Sequence, residues 1–301
     1  MAHTKRSAPM TTKQPEKIYI LANAGARTLD FKGLEAACAR IAKHMAVEII
    51  RTNSPQQADS ETARLSAIDG NLVAAAGGDG TINTLLNALA PNGTLGIIPA
   101  GTANVIGREL GIPLKISEAV KVLLTGAVQK VDTAVCNGRK YLFVAGFGFD
   151  AEVAASVSGL LKKILGRAAY HLAGLLCFVT YRPPLLKITC DGKLYRGRYA
   201  IIANMRRYGG ELFFAPQARF DDGKLDLVIL KRFSVCSLLR LLNFARGNGR
   251  FPGNVAEIVQ GSHFIVEADR PTLYQLDGEV FPATDRFEIT LAPQPTNIIT
   301  P

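Results

Sequence analysis

Gly77-Gly78-Asp79-Gly80-Thr81 stands between an apolar run, residues 72–76, and a helix-like segment, residues 82–89. Strand, glycine loop and helix start, in that order, aim backbone N–H groups and the positive end of a helix dipole at an anion. Three glycines remove the Cβ atoms that would hold a phosphate off the backbone. Asp79 is the odd member, because a carboxylate repels bare phosphate. It fits if a divalent cation lies between the two, or if it orients another catalytic group. The chemistry indicated is a nucleotide-phosphate site; the plain alternative is a tight βα turn that happens to be rich in glycine.

A second loop of the same type follows. Residues 94–98 read as a buried strand, and Pro99-Ala100-Gly101-Thr102-Ala103-Asn104 leads into the helix-like residues 105–110. Two neighbouring strands thus both end in Gly-Thr at a helix start. In an open α/β sheet, ligands bind at the carboxyl ends of strands, so the two loops are expected to converge on one crevice. Thr81, Asn83, Thr102 and Asn104 can each hydrogen-bond phosphate or ribose.

Other chemistries are excluded by what is missing. No G-x-x-x-x-G-K-[ST] occurs, which rules out a Walker-type NTPase. Gly146-Phe147-Gly148-Phe149-Asp150-Ala151 matches the letters of the dinucleotide fingerprint. The acid expected ~20 residues on is replaced by Tyr170 and His171, and no strand–helix alternation follows, so the match reads as glycine-rich turn chemistry. There is no G-x-S-x-G elbow and no H-E-x-x-H, and the four histidines are isolated. Five scattered cysteines, none in a C-x-x-C pair, argue for reduced thiols in the cytoplasm.

The elements that position these loops follow from periodicity. Residues 1–16 are polar, lack the apolar core of a signal peptide and read as a flexible tail. Residues 17–129 alternate strands (17–22, 47–51, 72–76, 94–98) with helices (33–45, 58–68, 82–89, 116–124), the grammar of a doubly wound parallel sheet. From residue 130 the grammar changes. Asn137-Gly138, Asp191-Gly192 and Asp277-Gly278 lie between strand-like runs and signal hairpins. Residues 131–136, 140–145, 185–190, 193–204, 224–230, 263–267, 272–276 and 286–291 read as strands of a mainly antiparallel second domain, residues 130–291. A strand from residues 292–301 is expected to return to the first domain.

The chain of 301 residues carries a net charge of +10. Residues 227–256 contain no acid but hold Lys231, Arg232, Arg240, Arg246 and Arg250. Within that stretch, residues 234–245 read as an N-capped amphipathic helix with Leu238, Leu239, Leu241 and Leu242. Residues 160–179 form a second amphipathic candidate with Lys162, Lys163 and Arg167. Two readings stand: core-facing helices with solvated basic faces, or docking to an anionic membrane surface. Nucleic acid is not indicated, since no recognition motif accompanies the charge. No run reaches the ~18–20 apolar residues of a membrane span. The expected location is the cytoplasm, peripheral on the inner face of the cell membrane.

Five motifs taken in order resemble the diacylglycerol kinase catalytic-domain family. They are Gly77–Thr81, Gly101-Thr102-Ala103-Asn104, Gly146–Ala151, Phe220-Asp221-Asp222-Gly223-Lys224-Leu225-Asp226 and Leu276-Asp277-Gly278-Glu279. That family includes bacterial diacylglycerol and other lipid kinases, sphingosine kinases and ceramide kinases. The resemblance covers nearly the whole chain after the tail. It implies an α/β nucleotide domain like that of NAD kinases and phosphofructokinases, followed by a β-sandwich that carries the lipid. The implied reaction is transfer of the ATP γ-phosphoryl group to a lipid hydroxyl with Mg2+. Carried over residue by residue, the nucleotide loop is Gly77, Gly78, Asp79, Gly80, Thr81, Ile82 and Asn83, with Thr102, Asn104 and Thr52. A structural magnesium turn maps to Asp222 with the carbonyls of Arg219 and Lys224. The base maps to the Asp-Gly-Glu turn, where both Glu279 and Asp277 stand as candidates; Asp79 completes the catalytic set.

The chain departs from the family pattern in two places. Asn-Pro-x-Ser/Ala-Gly at the end of the first strand is Leu21-Ala22-Asn23-Ala24-Gly25 here, and Thr84 stands where an acid often follows the glycine loop. The alternatives are an NAD kinase-like enzyme with a soluble substrate, although its Thr-Gly-Ser-Thr-Ala-Tyr-like segment is missing, and a non-catalytic lipid-binding protein on the same fold. A homodimer is left open.

Overall fold

The computed structural model describes residues 15–26, 28–156, 181–209 and 211–301. The chain divides into two compact units: Met1–Gly101, Leu110–Val131 and Thr296–Pro301 in the first, Thr102–Glu109 and Asp132–Pro295 in the second. Most of the expected tail and the expected helix at residues 160–179 lie outside the described residues.

The first unit alternates as its periodicity predicts. In chain order it runs β1 (Lys17–Asn23), α1 (Phe31–Ile41), β2 (Ala46–Thr52), α2 (Pro55–Ser66), β3 (Asn71–Gly77), α3 (Asp79–Ala88) and β4 (Thr94–Pro99). After α4 (Val105–Glu109), which groups with the second unit, come α5 (Ile116–Thr125) and β5 (Ala127–Val131). Side-chain caps start the early helices: Asp30 accepts the Gly33 N–H at 3.0 Å, and Ser54 accepts the Gln57 N–H at 3.2 Å ahead of Pro55. Five residues of β3 beyond its first two, and most of β4, are buried, as strands covered on both faces must be.

Strand order is β2-β1-β3-β4-β16-β5, where β16 is Thr296–Thr300. The last strand runs parallel to β4 and antiparallel to β5. Register aligns Asn23 with Thr52, Ala22 with Ala76, and Gly77 with Pro99. The carboxyl ends of β1, β2, β3 and β4 therefore open on one edge of the sheet.

The second unit is a ten-stranded antiparallel β-sandwich sheet. Its strands are β6 (Ala134–Cys136), β7 (Arg139–Tyr141), β8 (Val144–Phe147), β9 (Leu186–Cys190), β10 (Lys193–Gly197), β11 (Tyr199–Ala203), β12 (Leu225–Leu230), β13 (Ala256–Gly261), β14 (His263–Leu276) and β15 (Glu279–Leu291). Among the described residues two further helices are α6 (Phe149–Ser156) and α7 (Val235–Ala245). One face of eight strands closes on a core that includes Tyr141, Phe147, Ile188, Ile202, Leu227, Phe264 and Phe287.

The three Asn-Gly or Asp-Gly pairs read as hairpin turns occupy left-handed backbone, with φ of 46° and 82° at Asn137-Gly138, 44° and 84° at Asp191-Gly192, and 51° and 86° at Asp277-Gly278. That is the geometry of a type I′ hairpin turn.

Four strand expectations require correction. Residues 140–145 are two strands, β7 and β8, parted at Leu142 and Phe143, whose N–H groups go to the Asp277 carboxylate. Residues 131–136 are not one strand: β5 belongs to the first sheet and β6 to the second. Asp132 breaks the run, because its own N–H goes to Phe220 O at 2.6 Å and its carboxylate takes the Gly223 N–H at 2.7 Å. Residues 193–204 divide at Gly197, where a Cβ would sit 2.5 Å from Ile229 Cγ1. Residues 263–267 and 272–276 are one long strand, β14, whose register shifts around the polar, proline-containing middle.

Candidate functional site

The glycine loop joins β3 to α3, and its three glycines answer three different demands. A Cβ at Gly77 would lie 2.4 Å from Thr81 Oγ1, so this glycine makes room for its neighbour. A Cβ at Gly78 would lie 3.3 Å from the Cα of Gly101, so this one lets the two loops touch. At Gly80 a Cβ would meet nothing within 4 Å, so its side faces open space. Gly78 is also the N-cap of α3, and no side-chain cap bond closes the first turn. Thr81 N–H donates to Gly78 O at 2.9 Å, and a helix start of this kind is where anions bind.

The neighbouring loops are tied to this one by hydrogen bonds. Ala100 N–H donates to Gly77 O at 2.8 Å, and the Thr28 hydroxyl donates to Ala100 O. Asn23 Nδ2 donates to Thr81 Oγ1 at 3.3 Å, while its Oδ1 accepts the Gly25 N–H at 2.9 Å. The altered Asn23-Ala24-Gly25 segment thus still reaches the glycine loop, at Thr81. Thr28 had no sequence signal at all.

Not every residue of the expected cradle presents a side chain. Ile82 is a core residue and Asn83 Oδ1 accepts from Asn87 Nδ2 at 3.0 Å; each is 1% exposed. Thr52 is buried, with its hydroxyl 3.5 Å from Ala22 O and its carbonyl taking the Ala24 N–H at 2.9 Å. Asp79 and Thr81 are partly exposed and Gly80 is exposed. Thr102 is exposed and Asn104 buried, the latter in left-handed backbone with φ 48°; both fall in the segment that groups with the second unit. There Asn104 O accepts the Arg108 N–H at 3.0 Å, and buried Glu109 meets Arg206 at 2.7 Å and Arg207 at 3.4 Å.

In the second unit the Asp-Gly-Glu turn separates its two carboxylates sharply. Asp277 is buried, and its carboxylate accepts the N–H groups of Leu142 at 2.7 Å, Phe143 at 2.9 Å and Val144 at 3.0 Å. It pins β8 to the turn. Glu279 lies two residues on at an exposed position, its nearest cation Arg139 at 3.7 Å. The turn is held from below by Gln275, whose Oε1 accepts the Gly278 N–H at 2.7 Å.

The Asp222-Gly223 turn gathers acids. Lys224 N–H donates to Asp222 Oδ1 at 3.1 Å, and Arg219 pairs with Asp221 at 3.1 Å. Burial pushes the Asp222 and Asp132 carboxyls up, and the charge of each of their acidic neighbours adds to it. Burial likewise pushes Asp226 up to about 6, with Asp222 adding to the effect. Hard oxygen donors crowded enough to repel one another suit Mg2+. Among the described residues no three His, Cys, Asp or Glu side chains are grouped as a metal centre; a set built on one carboxylate and main-chain carbonyls is of a different kind.

Gly146-Phe147-Gly148 is no dinucleotide loop, since β8 pairs antiparallel on both sides, with β11 and β14.

Comparison with known proteins agrees with this architecture. Residues 17–136 match the family described as Diacylglycerol kinase catalytic domain, and residues 144–300 match the YegS C-terminal NAD kinase beta sandwich-like domain. The chain is 34% identical over 215 residues to a diacylglycerol kinase of Bacillus subtilis (strain 168), covering 69% of this chain and 71% of that one. It is 39% identical over 161 residues to the Pseudomonas aeruginosa protein named "Probable lipid kinase YegS-like", covering 52% and 53%. A solved structure assigned as a diacylglycerol kinase from Bacillus anthracis superposes with a TM-score of 0.82 at 26% identity, over 97% of this chain and 99% of that one. An NAD kinase from Archaeoglobus fulgidus solved with ATP shares the fold, at a TM-score of 0.51 and 14% identity over 94% and 93%. The chain belongs to the diacylglycerol kinase catalytic-domain family and is a lipid kinase.

Proposed function

We propose that this chain transfers the γ-phosphoryl group of ATP to a hydroxyl of a glycerol-based membrane lipid of the diacylglycerol class. The observation that carries the nucleotide half is the open side of Gly80 at an N-terminus of α3 that has no side-chain cap. Phosphoryl transfer asks a protein mainly for positioning and charge stabilisation. The glycine loop at the start of α3 would supply both, and Asp79 would help to hold a phosphate-bound cation. Asp222, with the carbonyls of Arg219 and Lys224, would hold Mg2+ in the turn at residues 219–224. When bound there, the ion neutralises the clustered carboxylates. Glu279 is the base that takes the hydroxyl proton, since Asp277 has committed its oxygens to three amides.

Gly80→Ala tests the cradle without disturbing the fold. An added methyl meets no protein atom, and alanine in a helix is worth roughly 0.5–1 kcal/mol over glycine. The variant is expected to melt at or above the wild-type temperature while its KM for ATP rises tenfold or more. An unchanged KM for ATP would remove the open side of Gly80 from nucleotide binding.

The lipid half carries a membrane-docking surface. α7 starts at Ser234, which caps the Ser237 N–H at 3.2 Å, and buries Leu241 and Ala245. Leu239, counted with the apolar face in the sequence, is instead 57% exposed, and Val235 one turn earlier is 56% exposed. Arg240 lies on the same helix and Arg232, Arg246 and Arg250 flank it in sequence, all exposed and without an ion pair among the described residues. An exposed apolar pair on a segment rich in arginine suits an anionic bilayer, where each basic residue contributes about 1 kcal/mol and each inserted Val or Leu about 1.5–3 kcal/mol at most. Lys162, Lys163 and Arg167, counted with this surface in the sequence, lie outside the described residues. The chain is expected to sediment with phosphatidylserine-containing vesicles at low salt and to release at high salt. Charge reversal at Arg240, Arg246 and Arg250 should reduce vesicle binding and vesicle-borne turnover while sparing turnover on detergent-dispersed lipid. Equal binding to neutral and anionic vesicles would assign these arginines to solvent.

A further inference from the structure

Glu109 is an acid on an apolar helix face. It ends α4, which buries Val105, Ile106 and Gly107 along with it, and it stands one turn after Val105 on the same side. Its side chain is 1% exposed. A carboxylate taken out of water is tolerated only when it is paired. The partners are two consecutive arginines of the loop after β11. Arg206 Nε donates to Oε1 at 2.7 Å, and Arg207 Nε lies 3.4 Å from Oε2. One arginine would neutralise one carboxylate; here two converge on it. Glu211, the other acid of that loop, is exposed and pairs with neither among the described residues. The cluster is left with surplus positive charge.

The two arginines are held differently. Arg207 is 28% exposed, and its guanidinium lies over the Phe213 ring at 5.2 Å. Arg206 is 50% exposed and its anchor uses Nε; among the described residues its two outer nitrogens donate to no acceptor. The loop beneath them is closed in both directions, Tyr208 N–H to Leu212 O at 2.8 Å and Leu212 N–H to Tyr208 O at 3.2 Å. Arg206 is thus fixed at its base and open at its fork. An arginine fastened to a buried carboxylate has already lost the rotamer freedom that binding would otherwise remove. Its planar fork matches a phosphate through two parallel N–H···O bonds.

Its place in the chain indicates which chemistry the fork serves. α4 is about 7 Å long and follows directly on Thr102-Ala103-Asn104, the second loop of the expected nucleotide cradle. Arg108 Nε donates back to Ala103 O at 3.1 Å, which ties the helix to that loop. Loop, helix and both arginines fall in the same compact unit. Glu109 therefore holds the Arg206 fork within one short helix of Thr102 and Asn104.

We propose that Arg206 is a phosphate-binding residue of the kinase reaction and that Glu109 is the positioning residue that fixes its guanidinium. The ligand is a phosphate ester, either the polyphosphate of the nucleotide or the phosphomonoester left on the lipid. This rests on the lipid-kinase reading above. The fork's bonds to phosphate are charge-assisted, so their loss should weaken binding roughly 10–100-fold.

The test is equilibrium titration of three probes: an ATP analogue with a non-hydrolysable imido bridge, short-chain dioctanoyl phosphatidate, and adenosine, which carries no phosphate. Arg206→Lys keeps the charge that faces Glu109 and removes the fork. It is expected to melt with wild type, to bind adenosine as wild type does, and to lose tenfold or more in affinity for one of the phosphate probes. Loss with the ATP analogue assigns the fork to the nucleotide and loss with phosphatidate assigns it to the lipid product; either supports the proposal. Glu109→Gln should reproduce the loss, and the double variant should lose no more than Arg206→Lys alone, because the two residues act as a unit. Additive losses would remove Glu109 from the positioning role. Should Glu109→Gln not fold, Arg206→Lys decides alone. Unchanged affinity for both phosphate probes overturns the proposal. So does an equal loss for adenosine, which would reduce the ion pair to a structural clasp. A wild-type chain that binds the ATP analogue through Arg206 yet phosphorylates no lipid would instead overturn the kinase reading and leave the phosphate site.

Discussion

Asp79→Asn is expected to leave a folded protein that no longer phosphorylates lipid. The carboxylate is the first residue of α3, so its charge is worth about 0.3–1 kcal/mol to the helix dipole, or a melting shift of roughly 1–4 °C. The catalytic cost is far larger. A group that organises charge around a transferring phosphoryl typically contributes on the order of 10²–10³-fold to kcat, and Asp79 is the sole acid in the loop. The substitution is nearly isosteric, which separates charge from packing. Turnover with labelled ATP and dispersed lipid measures the loss, and thermal melting checks the fold. Wild-type turnover in the folded variant would take Asp79 out of the chemistry. Retained ATP affinity with lost turnover assigns it to the transferring phosphate; loss of both assigns it to nucleotide binding.

The loop was legible because three independent signals coincide at residues 72–89: an apolar run, glycines and a helical period. The hairpin turns were legible for the same reason, since Asn-Gly and Asp-Gly select left-handed backbone in one step. What stayed hidden depended on partners distant in sequence. Nothing local tells that Asp277 collects amides from residues 142–144, more than 130 positions away. Nor does the sequence show that Asp132 turns toward Gly223 and thereby splits an apparent strand between two sheets. Leu239 illustrates a third limit. A leucine-rich helix reads as core-facing, yet the buried stripe is set by what it packs on, and here Leu241 and Ala245 take that place.

Glu279→Gln and Asp277→Asn should fail in opposite ways. Glu279 is exposed, and its ion pair with Arg139 is long at 3.7 Å, so removing its charge should change stability by no more than about 0.5 kcal/mol. Loss of a general base lowers turnover by ~10²–10⁴-fold, and the change should appear in kcat with KM for ATP little altered. Asp277→Asn puts an NH2 group against three buried N–H donors that now share one carboxylate. At least one amide is left without an acceptor, which costs roughly 2–3 kcal/mol and lowers the melting temperature by several degrees. Its turnover should fall only as far as the displaced turn misplaces Glu279, and lowering the assay temperature should restore part of it. A chemical defect in Glu279→Gln would not respond to cooling in this way. The reverse result would falsify the assignment: a stable Asp277→Asn without turnover beside a fully active Glu279→Gln would make the buried carboxylate the base and leave the exposed one in solvent.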